Sequence, residues 1–166
     1  LRSAEAEHPK KEKKRSVALL DSSKYGPVIE KESSERGFKP VNTVHQRLIE
    51  ESVLRLLETR PADDIGVIVP FRSSVYQVRN ALREKGIRNI EVGTIHTFQG
   101  REKPVIIFDT VMSGERQYGN MIRHYSVRPF DETKNGLSVP RLLNVAFSRS
   151  KELLVVIADM GHIDQV

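Results

Sequence analysis

Ile90–Thr110, IEVGTIHTFQGREKPVIIFDT, is the stretch from which the fold can be read. Two apolar runs, Ile90–Ile95 and Val105–Thr110, stand on either side of a turn at Gln99–Gly100 and are expected to be strands. Between them lie small and hydroxyl residues, a glycine with an acid two positions on, and basic flanks. That chemistry suits a polyanion. The Thr94 hydroxyl and backbone amides left free by the turn can donate to a phosphodiester oxygen. Gly100 permits a tight turn or close approach to a ligand. Glu102 can accept from a ribose hydroxyl or hold a water. An ordinary tight turn between two strands accounts for the stretch equally well.

Outward from this block the chain alternates strands and helices. Val17–Leu20 reads as a short buried strand, and Lys24–Pro40, mostly polar with Gly and Pro, as loop. Thr43-x-x-Gln46 has the form of a capping box opening a helix, with Ile49, Val53, Leu56 and Leu57 at helical spacing. Ile65–Val69 is apolar without alternation, as expected for a strand of a parallel sheet buried on both faces. Ser74-x-x-Gln77 is read as the start of the next helix, with Val75, Val78 and Leu82 along one stripe and Gly86 as the stop. Pro140 opens a helix to about Ser150, and Leu153–Ala158 closes as a last buried strand. The order implies an α/β domain with a mostly parallel sheet. In such sheets ligands bind beyond the carboxyl ends of the strands, and GTIHTFQGREK follows the Ile90–Val92 run in that position.

A second block, Arg141–Lys151, RLLNVAFSRSK, places Asn144, Ser148 and Lys151 at spacings of four and three, near one helix face. Leu142, Leu143, Ala146 and Phe147 supply its packing side. Arg149 follows at the helix end, and a permanently charged, forked guanidinium suits charge developing in phosphoryl transfer. Taken alone, Arg149 and Lys151 need only complement a helix C-terminus, a role worth under about 1 kcal/mol.

Composition sets limits. The chain has 166 residues, 38% hydrophobic and 30% charged, as in one globular domain with a real core. No apolar run approaches the roughly 20 residues of a membrane span. It opens on Leu1 with no signal-peptide pattern and reads as a piece cut from a longer protein. Zero cysteines exclude disulfides, thiolate metal sites and a Cys nucleophile, and fit a reducing, cytoplasmic setting. The net charge of +5 makes polyanionic partners plausible. Part of it sits in residues 1–15, where Lys10, Lys11, Lys13, Lys14 and Arg15 form a basic tail expected to be solvated. The five histidines show no metal spacing.

The two blocks together resemble motifs V and VI of the second, C-terminal RecA-like domain of superfamily-1 helicases. The subgroup is that typified by the nonsense-mediated-decay RNA helicase and its bacterial relatives. Its members carry stretches similar to "DxFQGxE" and "RxLNVALTRA", where this chain has His96–Glu102, HTFQGRE, and Arg141–Ser150, RLLNVAFSRS. Ile65–Arg72, IGVIVPFR, looks like the strand and "TPY" turn that precede them, so the resemblance runs from about Ile65 to Asp159. It implies a RecA-like, mostly parallel sheet with helices on both faces. That is a P-loop NTPase type of fold without its own P-loop, since none of the ten glycines is followed by Lys.

By the same resemblance residues 16–166 are a helicase C-terminal motor domain, with a polar insertion at 112–139. ATP with Mg²⁺ is held mainly by an N-terminal RecA-like domain of the same chain, and no metal is bound by this piece. Arg149 is the arginine finger, Gly100 and Glu102 line the nucleotide, and Gln99 fixes their loop. Thr94, His96, Pro70, Phe71 and Arg72 lie along single-stranded DNA or RNA. Without the two Walker motifs the piece alone is expected to be inactive. His96 stands where Asp is common, and Ser148 replaces the usual Thr. In the insertion, Arg116, Arg123, Arg128 and His124 interleave with Tyr118, Tyr125 and Phe130, a mixture that can stack on bases and neutralise phosphates. Asp109 reads as the end of a core strand. Two other functions compete: a non-catalytic nucleic-acid-binding module that keeps the fold, and, more remotely, a metal-dependent nuclease using Asp109, Glu102 and Asp131.

Overall fold

Val67 and Ile68 are neighbours in sequence and both fully buried, yet they belong to different hydrophobic clusters. Alternate residues of a strand point to opposite faces, so both faces here must be covered. A computed structural model of the chain describes residues 15–34, 37–113, 133–134 and 137–163. In it the strands are β1 (Ser16–Asp21), β2 (Glu30–Ser34), β3 (Gly37–Val41), β4 (Ile65–Ile68), β5 (Glu91–Gly93), β6 (Lys103–Asp109), β7 (Thr133–Lys134), β8 (Leu137–Ser138) and β9 (Ser150–Ala158). The helices are α1 (Thr43–Leu57), α2 (Arg72–Glu84), α3 (Val139–Ser148) and the short α4 (Met160–Ile163). Five strands form one sheet in the order β1-β9-β6-β4-β5, parallel throughout.

One face carries Val67, Val105, Ile107, Val155 and Ile157, closed by Ile49 and Val53 of α1 and Val75, Val78 and Leu82 of α2. The opposite face carries Ile68, Ile106, Phe108 and Leu154, closed by Ala146 and Phe147 of α3. Phe108 and Phe147 meet edge to face at 5.3 Å. Burying each such side chain stabilises the fold by roughly 1.5–3 kcal/mol. The expected α/β class, with helices on both faces of a parallel sheet, is the one observed. No described helix is long and apolar enough to cross a membrane.

Several local expectations need correction. Lys24–Pro40 is not all loop: β2 and β3 pair there as an antiparallel hairpin. Their segments, EKESS and GFKPV, are mostly polar and give no apolar alternation to read. Asn42, not Thr43, caps α1: its side chain accepts from the His45 amide while its backbone is extended. Helix α2 starts at Arg72, two residues before Ser74, so Ser74 lies inside the helix, where its hydroxyl donates to the Pro40 carbonyl at 3.2 Å. Gly86 does end that helix, at φ +78°. Lys151 lies on β9 and not on the helix face of Asn144 and Ser148, since α3 stops at Ser148. The basic tail up to Lys14 lies outside the described residues, as do Arg116, Tyr118, Arg123, His124, Tyr125, Arg128, Phe130 and Asp131.

Candidate functional site

The Gln99–Gly100 turn does not join neighbouring strands. Strand β4 lies between β5 and β6, and all three are parallel, so Thr94–Glu102 must travel back from the carboxyl end of β5 to the amino end of β6. It does so over the α3 face of the sheet, with Phe98 fully buried against Ile68, Ile106 and Phe108. Two glycines make room. A Cβ on Gly66 would stand 2.8 Å from the Phe98 ring, and one on Gly93 would stand 2.9 Å from Thr97 Cβ. The segment is held by short-range turns, Thr97 N and Phe98 N donating to Thr94 O and Gln99 N to His96 O. It is a strap across the sheet, and its two ends carry different residues.

At the carboxyl end, Pro70, Arg72, Gly93, Thr94, His96 and Thr97 line an open cleft of about 500 Å³. His96 is exposed. Thr94 and Thr97 place their hydroxyls 3.2 Å apart. Pro70 is buried in the cleft wall. Phe71 is half-buried and packs on Met112 and Ile29, so it supports the cleft from behind. Of the residues expected along a strand, Thr94, His96, Pro70 and Arg72 are therefore together.

At the amino end the strap meets the second block. The Lys103 amide donates to the Arg149 carbonyl at 3.0 Å, and Lys151 Nζ stands 3.3 Å from Glu102 Oε2. That ion pair is well exposed and contributes little to stability. Gly100 is exposed at φ +76° with open space where a Cβ would point. Gln99 is exposed beside it. The Arg149 guanidinium folds over the end of α3, Nε donating to Val145 O at 3.0 Å and a terminal nitrogen to Ser148 Oγ at 3.1 Å. Both acceptors are neutral. Among the described residues no carboxylate pairs with Arg149, so its charge remains available to an anion. Gln99, Gly100, Glu102 and Arg149 thus share one rim, at the sheet end opposite the cleft; only the first half of GTIHTFQGREK sits at carboxyl ends.

Asp109 does end β6, but it does more than close a strand. It is buried, 2.6 Å from His45 Nδ1, and it accepts from the Val111 amide at 2.8 Å. His45 Nε2 lies 2.7 Å from the buried Ser22 hydroxyl. Asn42 completes the ring of contacts: its Nδ2 donates to Val111 O at 3.0 Å and to Ser113 Oγ. Val111 is the only described non-glycine residue at positive φ, +61°, costly for a β-branched side chain. The clamp fixes that turn and so sets Met112 against Phe71. A Ser-His-Asp row of this kind resembles nucleophilic machinery, but all three side chains are sealed from solvent and no substrate can reach them. Sequence reasoning missed this cluster, since its members lie far apart along the chain and match no spacing. Asp109 and Glu102 sit at opposite ends of β6, so they cannot share a metal ion in the nuclease reading. Among the described residues no group of three potential metal ligands occurs.

Comparison with known proteins follows the same lines. A protein-family model described as an AAA domain matches residues 2–161. The human RNA helicase Mov10l1 is 38% identical over 99 residues, 59% of this chain and 7% of that protein. The DNA polymerase alpha-associated DNA helicase A of Schizosaccharomyces pombe is 39% identical over 102 residues, 61% of this chain and 13% of that protein. A regulator of nonsense transcripts 1 homolog from Neurospora crassa is 32% identical over 136 residues, 77% of this chain and 11% of that protein. The chain therefore spans only a small fraction of each of these relatives.

Proposed function

For a chain that belongs to the AAA-domain family, as a RecA-like domain of a superfamily-1 helicase of the nonsense-mediated-decay subgroup, we propose the role of C-terminal motor domain. In this reading residues 16–166 are the second motor domain of an ATP-dependent DNA or RNA helicase or translocase, working in the cytoplasm. The partner for the Arg149 rim is the N-terminal RecA-like domain of the same protein, which holds ATP with Mg²⁺. The residues present fit that group: a guanidinium met only by neutral acceptors, beside an exposed glycine whose backbone a ligand can approach. When bound, ATP supplies the phosphoryl group whose transfer to water releases free energy.

The chain's own residues then divide the work. Arg149 presents a fork of donors to negative charge that grows as the terminal phosphate departs. Gly100 and Glu102 line the nucleotide from the same side, and Gln99 steadies the loop. Thr94, His96, Pro70 and Arg72, with Phe71 behind them, hold the single strand at the far end of the strap. Closing the two domains on nucleotide moves the rim, and the strap transmits that movement to the cleft.

The observation that carries the proposal is the Lys103–Arg149 backbone bond, which joins the two sequence blocks on one rim. The test is ATP hydrolysis by the intact protein with Arg149 replaced by Ala. Turnover at the parental rate would overturn the finger assignment, whereas a parent protein with no ATP turnover would favour a nucleic-acid-binding module without catalysis.

A further inference from the structure

The cleft at Thr94 does not stop at the carboxyl end of the sheet. Arg79 lines both it and a second groove, bordered by Leu82, Arg83, Ile87, Arg88 and Glu91, that runs on beside edge strand β5. Arg72, Tyr76, Arg79 and Arg83 are spaced four, three and four apart on α2, which puts them on one stripe about 16 Å long. The core positions Val75, Val78 and Leu82 lie on a different side of the helix.

Three features separate this stripe from an ordinary solvated helix face. First, it is charged with one sign. Glu84 leaves the helix about 100° away from Arg83, and Glu91 at the groove floor is already held by Arg101 and Lys103. Second, Arg79 is anchored, donating to the Val92 carbonyl at 2.6 Å, which fixes a cation where the two grooves meet. Arg72, Arg83 and Arg88 make no ion pair with other described residues. Third, Tyr76 is 65% exposed among these arginines, an aromatic ring left in water beside cations. Arginines fork onto phosphates and an exposed ring offers a platform for a base.

We propose that this stripe is a second strand-binding surface, on which single-stranded nucleic acid leaving the Thr94 cleft continues along α2 and β5. The proposal rests on the nucleic-acid reading of that cleft. Phosphates lie against Arg79, Arg83 and Arg88, and one base stacks on Tyr76. The surface lengthens the footprint, adds charge-dependent affinity and reads no sequence.

The experiment is salt-dependent binding of labelled oligouridylate and oligothymidylate to the intact protein. Each single-strand phosphate deprived of its cation makes the slope of log affinity against log salt about 0.7 less negative. Arg83→Ala with Arg88→Ala should make it about 1.4 less negative, while Arg83→Lys with Arg88→Lys should keep it. Tyr76→Ala should weaken binding several-fold at every salt concentration without changing the slope. ATP turnover at saturating strand should persist in all three variants. An unchanged slope in the double alanine variant overturns the proposal. If Arg72→Ala in the same protein still weakens binding, the reading of the cleft survives that failure. A parent protein that binds neither strand overturns both.

Discussion

The Lys103 amide and the Arg149 carbonyl are joined by a 3.0 Å hydrogen bond, so two sequence blocks far apart in the chain end at the same point. Beyond that bond the Arg149 side chain bends over its own helix end, where it satisfies the Val145 carbonyl. This contact resembles a helix cap and is worth under about 1 kcal/mol. Arg149→Ala should therefore lower the urea midpoint only slightly, and circular dichroism during unfolding checks this. A large loss of stability would mean the side chain is there for folding.

Gly66 is where the strap rests. The Cβ of Gly66→Ala would stand 2.8 Å from the Phe98 ring and 2.9 Å from Ile106 Cδ1, both buried in a packed core. Overpacking of this kind costs about 1–3 kcal/mol. Chemical denaturation should show that loss, and Phe98→Leu in the same background should recover part of it by vacating the space. No recovery would place the clash elsewhere.

His45 stands between Asp109 and Ser22 with no access to water. His45→Ala leaves a buried carboxylate without its ring partner, a loss of about 3 kcal/mol. It should also loosen the left-handed turn at Val111. Amide exchange at Val111 and Met112, measured on folded protein, should quicken more than at Ile106 in mid-strand. Equal acceleration at all three would mean that the cluster stabilises the fold globally and does not clamp this turn.

Asp21 is exposed and accepts from the Ser23 and Met160 amides. The bond from Ser23 is the main cause that holds its carboxyl below the ordinary carboxylate range. A depressed folded value means stabilisation that is complete above the unfolded value and disappears as pH falls through the folded one. Protection of the Met160 amide should thus persist through neutral and mildly acidic solution and fade only at still lower pH. In Asp21→Asn that fading should be absent. If the parent shows the same protection at every pH, the tether at Asp21 is not ionic.

Much of the fold was legible because its signals are local. Ile65–Val69, Val105–Thr110 and Leu153–Ala158 are apolar on both faces, and Val75, Val78 and Leu82 keep helical spacing. The β2–β3 hairpin was hidden, since EKESS and GFKPV carry no apolar alternation to read. The candidate residues were legible through their motifs, but their division between two ends of the sheet was not. That division depends on β4 inserting between β5 and β6, a long-range pairing that no local pattern encodes. The Asn42–His45–Asp109 clamp escaped for the same reason. Of the two sequence-assigned capping boxes, the first failed because Asn42 caps α1 and the second because α2 already begins at Arg72, which leaves Ser74 inside it.

The most direct test is steady-state ATP hydrolysis by the intact protein, with saturating single strand, for the parent and for Arg149→Ala and Arg149→Lys. A finger that steadies phosphoryl-transfer charge is worth about 10³–10⁵ in turnover, and Lys lacks the fork, so both variants should fall by that order. Strand affinity without nucleotide should stay near the parent's. Turnover at the parental rate in Arg149→Ala would contradict the account.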